Sequence, residues 1–440
     1  MKNKIRIGCG AGFSGDRLEP ALVLVEKGGL DYLVLECLAE RTIALAQKRK
    51  LQDANKGYDP LLERRIKLLL PLLIKNNVRL ITNMGAANPL AAAKAIISIA
   101  HSLNISVTVA AVTGDEVLDK IDINAAALET NTPIAGFGNI ISANAYLGID
   151  AIIPALQTNA NIIITGRVAD PSLFLAPMVF EFGWNKNDFD ILGKGTVTGH
   201  LLECAGQITG GYFADPGKKD VPNMASLGHP FADVHADGTA HIGKVDGTGG
   251  TINLQTAKEQ LLYEVVNPYE YYTPDVVADF TTVHLKQYGE NIVSITGGGG
   301  QQKPATYKVS VGYQSHHLGE GEISYAGSNA LARAQLAGGI ICERLQGQVD
   351  DVKIDYMGCT SVHQTSFNND AKPYEVRLRV AAKATTPEFA ALVGEEVEAL
   401  YTNGPAGGGG VRKYVTEVIG IVSTLIDRKL VSPSVTVIHS

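Results

Sequence analysis

The sequence predicts an α/β fold: a largely parallel sheet with crossover helices in the N-terminal half, followed by an α+β region with antiparallel strands. Three observations carry this. Short β-branched runs between residues 5 and 165 alternate with segments of ten or more residues at helical apolar spacing, which implies crossover connections. Polar residues gather just after each run, where open α/β sheets form ligand crevices. From about Gly206 glycines cluster and apolar residues begin to alternate, as in antiparallel strands.

The stretch Ile5–Glu40 sets the pattern of strand, glycine turn, helix, strand and acidic turn. Ile5–Gly8 is the first strand. Arg17–Lys27 has Leu18, Leu22, Val23 and Val25 at helical spacing, with Pro20 in the first turn, where proline is tolerated. Gly28 and Gly29 end that helix, and Tyr32–Leu35 is the second strand. Leu38–Lys48 and Pro60–Lys75 show leucine-rich helical faces. Arg79–Thr82 is a third strand, leading through a small-residue turn to an alanine-rich helix ending near His101. Ser106–Val112, Asn139–Ala143 and Asn161–Ile164 complete the strands of this half. Further on, Tyr307–Tyr313 and Val376–Ala381 alternate as strands, while Thr256–Val265, Ser328–Leu345 and Pro387–Tyr401 read as helices. Two domains are expected: residues 1–210 carrying the site, and a glycine-rich α+β region over 211–440.

The 440 residues are 45% apolar and 19% charged, ample for a packed core. The formal net charge of −7 argues against nucleic acid and anionic membranes as main partners, since both select basic surfaces. Five scattered cysteines without a CxxC pair suit reduced thiols in a cytoplasm. The N-terminus lacks a signal-peptide apolar region, and there is no run of ~18 apolar residues for a membrane span.

Candidate site residues fall at the strand ends. Gly10, Gly12 and Gly15 follow a strand and open a helix, and Glu36 ends the next strand. That is the order of a dinucleotide fingerprint, with glycines for close approach and a carboxylate for ribose. Asp16 opposes it, because a carboxylate at the helix start repels a phosphate and occupies the amides that would bind one. The preferred reading is a turn shaped to hold Asp16 and Arg17 over a substrate. Glu36 and Glu40 stand four residues apart, placed as acid and base or as ligands for a hard cation. Asn83 and Asn88 bracket a turn where amides hold a carbonyl oxygen or cap the next helix. Thr165, Gly166 and Arg167 with Asp170 offer a two-pronged grip on a carboxylate, or an ion pair that only braces the loop. Glu203, near His200 and Cys204, is an acid–base candidate, whereas a cysteine among Leu and Ala is more often core. Gly249 and Gly250 precede a helix and present backbone amides to an anion. Asp275 and Asp279 would share a face if their segment were helical.

Several of these stretches together resemble the acyclic terpene utilisation protein AtuA family: GxGFSGDR (Gly10–Arg17), DYLVLECLAERT (Asp31–Thr42), GYDPLLE (Gly57–Glu63), TNMGAANP (Thr82–Pro89), TGRVADPSLF (Thr165–Phe174), GHLLECAGQITGGYF (Gly199–Phe213), GTGG (Gly247–Gly250), YxTPDVVADF (Tyr271–Phe280) and NGPAGGGGVR (Asn403–Arg412). The resemblance spans nearly the whole chain. It implies a place in the catabolism of citronellol- and geraniol-type compounds, among enzymes handling branched acyl-CoA thioesters, and a hydratase or lyase step. Longer members carry an extra ferredoxin-like domain; this chain stops at Ser440, so a small companion chain is an expected partner.

Three readings follow. The first is an acid–base enzyme on a small carboxylate or branched acyl-CoA. In it Glu36 or Asp16 moves a proton, Asn83, Asn88 and Arg167 orient the substrate, and Asp170 braces Arg167. A divalent cation on Asp16, Glu36 or Asp170 is an alternative way to polarise a carbonyl. The second is an oxidoreductase holding NAD at the Gly10–Gly15 turn. The third is a non-catalytic subunit of an acyl-CoA-processing assembly. A homo-oligomer fits all three.

Overall fold

The computed structural model describes residues 2–364 and 373–440. Its elements in order are β1 (Lys4–Ala11), α1 (Glu19–Lys27), β2 (Tyr32–Leu35), α2 (Glu40–Gln52), α3 (Leu62–Asn76), β3 (Arg79–Thr82), α4 (Pro89–Ser102), β4 (Thr108–Thr113), β5 (Ile140–Ala145), α5 (Ile149–Gln157), β6 (Ile162–Thr165), α6 (Ser172–Phe182) and α7 (Phe189–Glu203). There follow β7 (Pro230–His235), β8 (Ala240–Lys244), α8 (Leu254–Leu262), β9 (Tyr271–Tyr272), β10 (Val277–Asp279), β11 (His284–Gly289), β12 (Ile292–Thr296), β13 (Gly299–Gln301) and β14 (Thr306–Ala326). The last are α9 (Ala330–Leu345), β15 (Asp350–Met357), β16 (Glu375–Ala384), α10 (Pro387–Asn403), β17 (Gly409–Asp427) and β18 (Ser434–His439).

The main sheet runs β11-β12-β8-β7-β1-β2-β3-β6-β4-β18. Its centre, β1-β2-β3-β6-β4, is parallel throughout, as expected from the intervening helices. Antiparallel strands extend it on both sides: β7 pairs with β1, and β18 with β4. Leu33, Leu35, Leu80, Val109 and Ile164 point to one face and pack against α1, α3 and α4. The intervening residues, Val34, Ile81 and Ile163 among them, are equally buried. Helices α5 and α6 lie against β4, β6, β1 and β2. Both faces are covered, which is why these strands read as continuous apolar runs rather than as alternation.

By contact, the chain forms two compact units that differ from the expected split near residue 210. The larger comprises Met1–Gly136, Ile141–Gly312 and Ile421–Ser440; the smaller comprises Phe137–Ile140 and Tyr313–Gly420. The glycine-rich region that follows α7 adds β7, β8, β11 and β12 to the first sheet instead of opening a new domain. In the smaller unit β16 lies between β15 and β14. Ile323, Tyr325, Val376, Leu378 and Val380 form its core with α9 and α10, and the alternate residues of β16, Arg377 and Arg379, carry charge.

Two local expectations need correction. The Asp275–Asp279 segment is not helical: Val277–Asp279 is a strand paired with β9 and β13. The Asn139–Ala143 strand exists as β5 but pairs with β14, outside the main sheet.

Candidate functional site

A cavity of about 640 Å³ opens at the C-terminal ends of the parallel strands. Asp16 and Gly12 reach it from the turn after β1, Glu36 from the end of β2, Asp170 from the loop after β6, and Glu203 from the end of α7. Arg17, Glu40, Cys204, His229 and Glu264 complete the charged and reactive lining. Segments far apart in sequence therefore do meet at one mouth.

Glu36 is held from β3. Its Oε1 accepts from Asn83 Nδ2 at 2.8 Å and from the Leu38 amide at 3.0 Å, while Asn83 Oδ1 accepts from the Cys37 amide at 2.7 Å. Among the described residues Oε2 receives no hydrogen bond. Only 7% of Glu36 is exposed. Burial pushes its carboxyl well above the ordinary range, with Asp170 adding to the rise; Arg167 and the two hydrogen bonds oppose it. Asn83, expected to touch substrate, is instead the clamp that fixes Glu36.

Glu203 is 8% exposed, and its Oε2 is buried without a hydrogen-bond partner. Its Oε1 lies 2.9 Å from His200 Nδ1. Burial raises the Glu203 carboxyl well above its usual value, and Asp170 and Glu264 add to this. His200 is enclosed between Tyr271 and Phe280, each with its ring centre 5.3 Å away. Burial takes its imidazole down to about 4, so it is neutral at pH 7. Asp170 keeps 38% of its side chain open to the cavity, yet its carboxyl is also raised, first by desolvation. Carboxyls so placed titrate as a set.

Arg167 does not present itself to a ligand. It is buried behind the cavity, with Nε donating to Val168 O at 2.9 Å, Nη1 to Leu38 O, and Nη2 to Val168 O at 2.6 Å and to Asp170. The Tyr146 ring covers it at 4.3 Å. It braces the loop and supplies the positive charge behind Glu36 and Asp170.

The turn after β1 is occupied by its own chain. Asp16 Oδ2 accepts from the Gly12 amide at 2.6 Å and the Phe13 amide at 3.3 Å. A Cβ on Gly12 would meet the Cys204 carbonyl carbon at 2.5 Å. The amides that a pyrophosphate would need are taken, which opposes the dinucleotide reading. Gly10 serves packing: a Cβ there would press on Leu35 and Ala21. Arg17 ties down the neighbouring loop through Met224 O at 3.2 Å and Ala225 O at 2.9 Å.

Like Gly10 and Asn83, four more expected binding residues lie outside this cavity lining. Asn88 caps α4 at the Ala91 amide and donates to Ala54 O and Lys56 O. Thr165 is buried and donates to Gly166 O at 3.0 Å. The Gly249 and Gly250 amides donate to Ser226 O and Pro222 O, and Asn253 already caps α8, so no anion cradle forms. Asp275 is a structural clamp: it accepts from the Ile149 amide at 2.9 Å and from Ser172 Oγ at 2.6 Å.

Cys204 lines the cavity, but burial raises its thiol far from the thiolate range, which suits a core role better than a nucleophilic one. Among the described residues no group of three or more His, Cys, Asp and Glu is arranged to hold a metal ion. Sequence reasoning missed His229 and Glu264. His229 Nδ1 lies 3.2 Å from Gly10 O because β7 pairs with β1. Glu264 sits at φ 58°, a strained backbone of the kind that concentrates at functional sites.

Fold and crevice together define an α/β protein with a carboxyl-lined cleft at the strand ends of its sheet. The chain belongs to the acyclic terpene utilisation protein AtuA family, whose sequence profile matches residues 5–437. No curated protein and no solved structure gives a match. Membership ties the chain to the utilisation of acyclic terpenes, a catabolic role. Among the described residues, no helix is long and apolar enough to cross a membrane.

Proposed function

We propose that the chain is an acid–base enzyme of hydratase or lyase type, acting on the acyl end of a small neutral substrate such as a branched thioester. The observation that carries this is the pair of buried carboxyls, Glu36 and Glu203, facing one cavity with raised proton affinities. Environments that differ assign their roles. Arg167 favours the anion of both, but only Glu36 has two hydrogen-bond donors on Oε1 that favour its anion further. It is the base. Glu203 has no hydrogen bond that lowers it and feels a second acid, Glu264, beside the Asp170 that raises both carboxyls, which favours the protonated form. It is the acid, and His200 fixes its orientation. In water addition, Glu36 takes a proton from water as its oxygen bonds to the β carbon, and Glu203 protonates the α carbon. Elimination runs the same steps backwards.

The substrate class follows from charge. With the Arg167 donors committed, Arg17 is the one arginine or lysine on the cavity wall among the described residues, against six carboxyl groups. A free carboxylate would meet like charge, whereas a thioester carbonyl would not. Five free cysteines fit the reducing cytoplasm in which such catabolism runs.

The test is water addition to a panel of branched α,β-unsaturated thioesters, followed by loss of enoyl absorbance. Turnover by the native chain is expected, with losses of roughly 10²–10⁴-fold in Glu36→Gln and Glu203→Gln. Full turnover in both variants, or none by the native chain on the whole panel, would overturn the proposal.

A further inference from the structure

A second cavity of about 510 Å³ adjoins the acidic one, and Glu40, Asp170 and Glu264 line both. Beyond these three the character reverses. Its walls are the rings of Tyr146, Tyr271 and Tyr307, with Pro171, Leu128 and Leu425. The three rings are fixed by their neighbours. Tyr146 donates its hydroxyl to Glu40, Tyr271 packs its ring 4.9 Å from Phe280, and Arg428 covers Tyr307 at 4.1 Å. What faces the space is mostly carbon. The one lysine on the wall, Lys308, is drawn to Glu40 at 3.4 Å.

We propose that this aromatic chamber binds a hydrocarbon chain whose polar end lies at Asp170, so that a single ligand spans both cavities. The inference deepens the acid–base reading and rests on it for the fate of the polar end. Three arguments commit the chamber to a chain rather than to a sugar or a nucleotide. Its volume falls in the ordinary range for small-molecule pockets. Its aromatic walls reward removal of apolar surface from water. Its continuity with the acidic crevice puts the chain's functional group beside the proton-carrying carboxyls. Leu128 and Leu425 are about half exposed, at 56% and 51%, and so stand at the outer wall, where they set the length accepted.

Calorimetric titration of the intact chain with 1-alkanols from butanol to decanol tests this without any turnover. Affinity should rise about fourfold per added methylene until the chamber is full. Leu425→Trp and Leu128→Trp, both at half-exposed positions, should end the rise at a shorter chain. Glu36→Gln and Glu203→Gln should keep the native length dependence. A flat length dependence, or a steep one that neither tryptophan alters, would overturn the chamber assignment. Length-dependent binding by a chain that hydrates no thioester would instead sink the proposed function and leave the chamber standing.

Discussion

Acids in the two compact units live under opposite conditions. On the charged sheet face of the smaller unit, three acids meet arginines. Glu322 accepts from Arg377 Nε at 2.6 Å, Asp355 from Arg379 Nη1 at 2.8 Å, and Glu320 from Arg379 Nε at 2.9 Å. In the crevice of the larger unit, Glu36 and Glu203 have only neutral hydrogen-bond partners, Asn83, a backbone amide and a neutral His200. Burial is similar: Asp355 is 5% exposed. What differs is direct contact with a cation. Acids in such contact lock strands together, while Glu36 and Glu203, without it, are driven towards the protonated form and become able to exchange protons. Asp275 marks a third case, a buried acid with both oxygens taken by neutral donors and no open face on the crevice.

The contrast breaks first in catalysis. Glu36→Gln and Glu203→Gln should lose the large factors given above while keeping or raising the melting temperature, because the amide removes an ionisation that burial disfavours. A fall in stability with turnover retained would place both acids with the structural set.

Acid titration comes next. His200 has a folded-state value of about 4, below its ordinary 6.5, so the folded state binds fewer protons than the unfolded one. Its contribution is complete above pH 6.5 and is lost as pH falls towards 4, by up to ~3 kcal/mol. Glu36 and Glu203 act in the opposite sense: their raised values mean that the folded state regains stability as pH falls. Denaturation midpoints of native and His200→Gln chains across this window isolate the histidine, and the variant should show the shallower acid loss.

In the smaller unit, Arg379→Ala removes the partner of Glu320 and leaves Asp355 only Lys353, 3.4 Å away. Full burial would make that worth 3–5 kcal/mol; with the arginine side chain 24% exposed, about 2 kcal/mol is expected. Chemical denaturation measures it, and catalysis should not change. The smallest effect belongs to Arg17→Ala. It removes two hydrogen bonds to an exposed loop and should cost under ~1 kcal/mol in the same measurement.

The parallel core was legible because its strands are short, β-branched and separated by amphipathic helices. The strand-end acids Asp16, Glu36 and Asp170 were legible by the same logic. Helix α7, which delivers Glu203, was not. It carries Gly193, Gly195 and Gly199, which local propensity reads as breaks. They are there for close packing: side chains would strike Gly299, Leu175 and Pro171 respectively. The extent of the sheet was hidden as well. Pairing β7 with β1 is a contact over more than two hundred residues, and it brings His229 to the cavity. Arg167 misled because a strand-end arginine looks like a clamp until the carbonyls of Leu38 and Val168 are seen to hold it. Long β14 was under-read, since its exposed polar middle breaks the alternation found at Tyr307–Tyr313.

Gly12 joins two parts of this arrangement. Its absent methyl lets the loop bearing Asp16 rest on the backbone at Glu203 and Cys204. Any side chain there would wedge the mouth apart and shift two acids at once. A saturation library at position 12, selected for activity, should therefore return glycine alone, whereas the neighbouring, exposed Phe13 should tolerate many replacements.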